Sequence, residues 1–93
     1  MQRPVGVAVY KKDQYKDFLR FSEDREDLFE TWEEWYKSKE RFKSEMKKRG
    51  VIVEDVEVDI FDILDYCEKR NLPFNGKTRS EYVQEIMTNR DLS

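Results

Sequence analysis

The chain has no histidine. That absence removes histidine acid–base chemistry and histidine-ligated metal sites together. Its one cysteine, Cys67, has no partner for a disulfide within the chain. Glycine is scarce, with three in 93 residues, and this matters at one place. The segment Asn71-Leu-Pro-Phe-Asn-Gly76-Lys77-Thr78 comes within a residue of a phosphate-cradling loop, but such a loop needs glycine where Asn71 stands. A turn followed by a helix cap is expected there instead. No apolar run approaches the ~18 residues of a membrane span, and the start, Met1 to Val7, has no apolar signal core. The expected setting is the cytoplasm, without membrane contact.

Charge and aromatic side chains are abundant. Charged residues make up 42% and hydrophobic ones 38%, a balance that would favour disorder if aromatics were few. Two Trp, five Tyr and six Phe supply anchors for a core. At 93 residues the chain is one domain, and a domain of that size buries only roughly 60–65% of its unfolded surface. The net charge of -3 is distributed in blocks: 1–21 carries +3, 22–36 carries -6, 37–49 carries +5 and 50–59 carries -4. Blocks of this kind suit either solvated helix faces or a charged partner.

Periodicity predicts strand, helix, helix, strand, helix, helix. Val5, Val7 and Val9 alternate with Gly6, Ala8 and Tyr10, giving a strand that is apolar on both faces and expected to be well covered. Asp13 is placed to cap a short helix with Tyr15, Phe18 and Leu19 on one face. Ser22 to Asp27 reads as a polar connection. Thr31-Trp-Glu-Glu34 is a capping box that opens a helix of about 27 Å ending before Gly50. The apolar stripe of that helix is Leu28, Trp32, Trp35, Tyr36, Phe42 and Met46. Lys39 interrupts it, with its stem expected along the core and its charge outside. Glu33–Lys37 and Glu45–Arg49 have the spacing of helical ion pairs.

The second strand runs over Val51–Val58. Ile52, Val56, Val58 and Ile60 lie on an apolar face and Asp55, Glu57 and Asp59 on a negative one, while Glu54 breaks the pattern and suggests a bulge or an edge. Ile60, Ile63, Leu64 and Cys67 recur at helical spacing behind an Asp59 cap, and Asn71-Leu-Pro73 ends that helix. Asn75-Gly76 reads as a tight turn, and Thr78-x-x-Glu81 as the capping box of the last helix, with Tyr82, Val83, Ile86 and Met87 as its stripe. The two strands are expected to pair in parallel. The result is a small single α+β domain with a minimal two-stranded sheet. A sheet of two strands is marginal in water, so extension by dimerisation is expected.

The segments Val56-Glu-Val58, Ile63 to Arg70 and Thr78-Arg-Ser-Glu-Tyr-Val-Gln-Glu-Ile86 together resemble ribbon-helix-helix domains. The resemblance covers less than half of the chain. It implies a dimer whose strands pair across a two-fold axis and enter the DNA major groove, as in an antitoxin-type regulator. It also implies that Lys77, Thr78, Arg79 and Ser80, at the start of the second helix, approach a phosphate. Here the inter-helix connection is longer than in that family. The face that would read bases carries Asp55 and Glu57, which a polyanion disfavours. Thr31-Trp-Glu-Glu-Trp35, taken with Asn75-Gly-Lys-Thr-Arg79, resembles small bacterial proteins of unknown function, which implies a family and no activity.

No catalytic set stands out. Glu33, Glu34, Glu54 and Asp62 are carboxylates suited to acid–base work, but no pair of them is singled out by an apolar surrounding. Asp55, Glu57 and Asp59 could offer oxygens to calcium or magnesium, but alternation on a solvated strand explains them. Cys67 sits on an apolar stripe and reads as a buried thiol. Trp32 and Trp35 read as core anchors, or as partner hot spots if exposed, with Asp55 and Glu57 as further candidate partner contacts. No cofactor and no metal are expected. The sequence therefore points to a non-enzymatic interaction or regulatory domain acting through a protein partner or a homodimer. DNA binding comes second and a small enzyme third.

Overall fold

The structure, a computed structural model, describes residues 4–92. Strand β1 (Val5–Tyr10) leads through a 3-10 turn into helix α1 (Tyr15–Phe21), and a second 3-10 turn precedes the long helix α2 (Trp32–Lys48). Strand β2 (Val53–Val58) follows, then helix α3 (Ile60–Arg70) and helix α4 (Gly76–Leu92). The fold is thus α+β in the expected order. The two strands pair in parallel with a continuous register from Val5 opposite Val53 to Tyr10 opposite Val58, so Glu54 makes no bulge.

The helices cover opposite faces of the sheet. Gly6, on one face, approaches α4 so closely that a Cβ there would lie 2.8 Å from Met87 Cγ and 2.9 Å from Val83 Cγ1. Asp55, on the other face, meets α2 through Lys39 and Lys43. The core gathers Phe18, Val56, Val58, Ile60, Ile63 and Val83 with Tyr10, Tyr15 and Phe74. Phe18 stacks on Tyr10 with ring centroids 4.1 Å apart. Among the described residues no helix is long and apolar enough to cross a membrane.

Several local expectations hold. Glu34 N–H donates to Thr31 Oγ1 at 3.1 Å, although the Thr31 hydroxyl donates to the Glu34 carboxylate instead of leaving it to reach the backbone. Gly50 takes φ +81 beyond the end of α2, a conformation glycine adopts without a Cβ clash. Asp59 caps α3 by accepting from Phe61 N–H at 2.9 Å. Asn71 closes that helix in the left-handed region. Cys67 is buried and free.

Other expectations are corrected. Asp13 caps nothing: it lies inside the first 3-10 turn, and α1 starts without a side-chain cap. β1 is only partly covered, from an exposed Val5 to a buried Tyr10. The α2 stripe is a core stripe only at its start: Leu28, Trp32 and Trp35 pack half-buried against the core, whereas Tyr36 and Phe42 are exposed and Lys39 is the buried residue of the helix. The Lys39 charge is not outside. Its ammonium lies 3.2 Å from Asp55 and 3.4 Å from Glu40, over the Tyr36 ring. Lys39 is the buried member of this cluster, and enclosing its ammonium without Asp55 and Glu40 beside it would cost far more. The same packing turns the supposedly solvated negative face into one that α2 partly covers. Glu33 reaches Lys12 at 3.0 Å across the tertiary fold. Helix α4 starts at Gly76, not at Thr78. Asn75 Oδ1 accepts from Thr78 N–H at 3.2 Å and Thr78 Oγ1 accepts from Asn75 N–H at 3.0 Å, a reciprocal cap three residues earlier than the sequence pattern suggested.

Candidate docking groove at the edge of the sheet

The hydrogen-bond phase of β1 decides what its outer edge offers. Val5 N–H donates to Ile52 O at 2.9 Å. In a parallel ladder a residue that bonds the neighbouring strand does so with both its N–H and its C=O, and the next residue points both away. Val5, Val7 and Val9 therefore bond β2, and Gly6, Ala8 and Tyr10 turn their main-chain groups to the open side. The Tyr10 carbonyl is taken there, by Trp32 Nε1 at 2.8 Å.

This edge forms the floor of a groove of about 380 Å³. Trp35 and Phe42 of α2 overhang it on one side, and Gly76, Ser80 and Val83 of α4 on the other. Val5 and Phe42 are 45% and 43% exposed, so the mouth of the groove is apolar and open to solvent. A second concavity of about 510 Å³ lies between the C-terminal half of α2 and the segment Val51–Val53. It is larger, but Lys43 on its wall already bonds Asp55 at 2.9 Å.

Arg79 is the charged side chain in the lining of the first groove, and it is neutralised internally. It is buried, with its guanidinium carbon 4.9 and 5.3 Å from the Phe18 and Phe74 ring centroids. It donates to both Asp24 oxygens, at 3.1 and 2.7 Å, and to Ser22 Oγ at 3.4 Å. Asp24 Oδ2 also accepts from Gly76 N–H at 3.1 Å, which places a carboxylate at the start of α4. Partial burial would raise the Asp24 carboxyl, but the hydrogen bond and charge of Arg79, with the Gly76 N–H, outweigh it and hold the group below its ordinary value. Asp55 follows the same pattern: burial opposes ionisation, and Lys43 and Lys39 overcome it.

The candidate residues from the sequence scatter over these features. Trp35 and Ser80 come together on the groove, with Trp32 closing its Tyr10 end. Thr78 is buried at 2% exposure and Arg79 at 5%, whereas Lys77 and Ser80 are exposed. Asp55 and Glu57 belong to β2, away from this edge, and Asp55 is engaged by the α2 lysines. Gly6, Ala8, Phe42 and Val83 are legible in the sequence only as strand and stripe positions, and Asp24 only as part of a polar connection, not as residues of a site. One signal pointed to the strand: Pro4–Tyr10 is the longest stretch of the chain without a charged residue.

Among the described residues no cluster of three or more His, Cys, Asp or Glu side chains is placed to hold a metal. No family model matches the chain, and it matches neither a curated protein nor a solved structure.

Proposed function

We propose that this domain works by association and not by catalysis, and that it docks an uncharged extended strand from a protein partner onto the open edge of β1. The observation that carries this reading is the unpaired main chain of Gly6 and Ala8 at the floor of an apolar groove. Strand addition obtains affinity from such main-chain groups and specificity from the flanking side chains. The other edge of the sheet contrasts with it. Val53, Asp55 and Glu57 turn their main chain outward on β2, with Glu54 alongside, and acidic residues on an edge strand oppose pairing. β1 carries no such guard.

The ribbon-helix-helix reading receives less support. It asks β2 to form an intersubunit ribbon although one edge of β2 is taken by β1, and it asks the α4 start to hold a phosphate where Asp24 already sits.

Titration with uncharged five-residue β-strand peptides carrying a solubilising tail tests the proposal. Trp35 fluorescence is expected to respond, and amide exchange at Gly6 and Ala8 is expected to slow. Absence of both responses for every peptide, together with no self-association of the chain, would overturn it.

A further inference from the structure

We infer that the strand docked on β1 is β1 of a second copy of this chain, antiparallel, with the two-fold axis passing at Val7. The inference rests on the association reading above and specifies its partner.

Main-chain geometry selects the register. With the Tyr10 carbonyl held by Trp32, Gly6 and Ala8 are the residues that offer both N–H and C=O on the edge, beside the single N–H of Tyr10. Two donors and two acceptors flanking one residue are self-complementary under a two-fold axis through that residue. Gly6 then faces Ala8 of the second copy and Ala8 faces its Gly6, each pair exchanging two bonds, while Val7 faces Val7 as a non-hydrogen-bonded pair.

Charge selects the occupant. In a chain that is 42% charged, Pro4–Tyr10 is the longest uncharged segment, so it is the part of the molecule best suited to enter an apolar slot between Phe42 and Val83. Pairing through β2 would instead bring the Asp55 and Glu57 carboxylates of the two copies against one another, and like charges across a strand pair repel. The dimer would hold a four-stranded sheet in the order β2, β1, β1, β2, which relieves the weakness of a two-stranded one.

Sedimentation equilibrium at micromolar concentration, with far-UV circular dichroism as the control for folding, tests this. A dimer is expected. Val5→Lys places an edge charge on a side chain that is already 45% exposed, and it is expected to raise the dimer dissociation constant about tenfold or more with an unchanged spectrum. Ala8→Pro deletes an outward N–H while leaving the bonds to β2, and it should act in the same direction. Val7→Cys is expected to cross-link two copies under mild oxidation, since the Cα separation of a non-hydrogen-bonded pair, about 4.5 Å, is within disulfide reach. Val9→Cys would lie too far from its own copy to do so, and Cys67 is buried. Three results would overturn the inference: a monomer at every concentration, a dimer indifferent to Val5→Lys, or cross-linking at Val9→Cys but not at Val7→Cys. A monomer that still binds the strand peptides would remove the self-pairing and leave the association reading standing. A monomer that binds none would remove both.

Discussion

At the scale of single residues, two positions fix the closeness of the layers. Gly6 is needed for space and not for an unusual backbone angle. An added methyl would meet Val83 Cγ1 at 2.9 Å, on a β-branched side chain that cannot swing away, and Met87 Cγ at 2.8 Å. Gly6→Ala is therefore expected to lower stability by about 1–3 kcal/mol, the usual cost of overpacking, read as a lower urea midpoint with an unchanged slope. Arg79 is the second. Its guanidinium satisfies Asp24, packs on Phe18 and Phe74, and sits in the core at 5% exposure. Arg79→Met keeps the stem but leaves the Asp24 carboxylate half-enclosed without its cation. A loss of about 3 kcal/mol is expected, because breaking such a pair costs more than the pair itself contributes. The double variant Arg79→Met with Asp24→Asn should recover part of that loss in the same denaturation experiment, which separates the stranded charge from the lost packing.

At the scale of elements, the start of α4 shows where local pattern and fold part company. Two cap signals overlap in the sequence: Asn75, a favoured N-cap residue three places before Thr78, and Thr78-x-x-Glu81, which has the capping-box pattern. The first is used because Asp24, 52 positions away, accepts from Gly76 N–H and fixes the helix one turn earlier. Nothing within ten residues of Thr78 announces that contact. Asn75→Ala is expected to cost about 1 kcal/mol and Glu81→Ala a few tenths at most, a comparison that chemical denaturation resolves. The elements whose signals are local were legible: the Thr31 cap, the Asp59 cap, the Gly50 and Asn71 stops, and the parallel pairing of two strands separated by helices. Lys39 was not, since whether a lysine inside an aromatic stripe points out or in depends on which strand residue its helix crosses, here Asp55. The groove was half legible. The uncharged run of β1 stands in the sequence, but the direction of its free main-chain groups follows from the register with β2, and its walls come from Phe42 and Val83 on helices remote in sequence.

At the scale of the whole molecule, stability is expected to fall at both ends of the pH scale for opposite reasons. Asp24 and Asp55 both titrate below the ordinary 3.8 in the folded state because Arg79 and the α2 lysines favour the ionised form over the opposing effect of burial. A carboxyl with a depressed folded pKa stabilises the fold fully above the unfolded value. That contribution is lost as pH falls below about 4 and through the folded pKa. Tyr15 behaves in the reverse sense. Burial, aided by Tyr10 and the nearby Glu34 and Glu30 charges, pushes its phenol up to about 12, and its hydroxyl donates to Phe29 O at 2.7 Å. A raised folded pKa gives a stabilisation that is complete below the unfolded value of about 10 and disappears as pH climbs from there to about 12. A melting-temperature profile should therefore be flat in the middle and drop on each side. The two limbs can be assigned separately. In Arg79→Met, burial acts on Asp24 without its cation and pushes the carboxyl up, so the acid limb between pH 4 and pH 2 should become shallower on a lower plateau. In Tyr15→Phe the alkaline limb should become shallower while the acid limb is unchanged. An acid limb of the same steepness in Arg79→Met would mean that Asp24 is not held by Arg79 in solution, and the internal neutralisation that keeps the β1 groove free of net charge would then have to be abandoned.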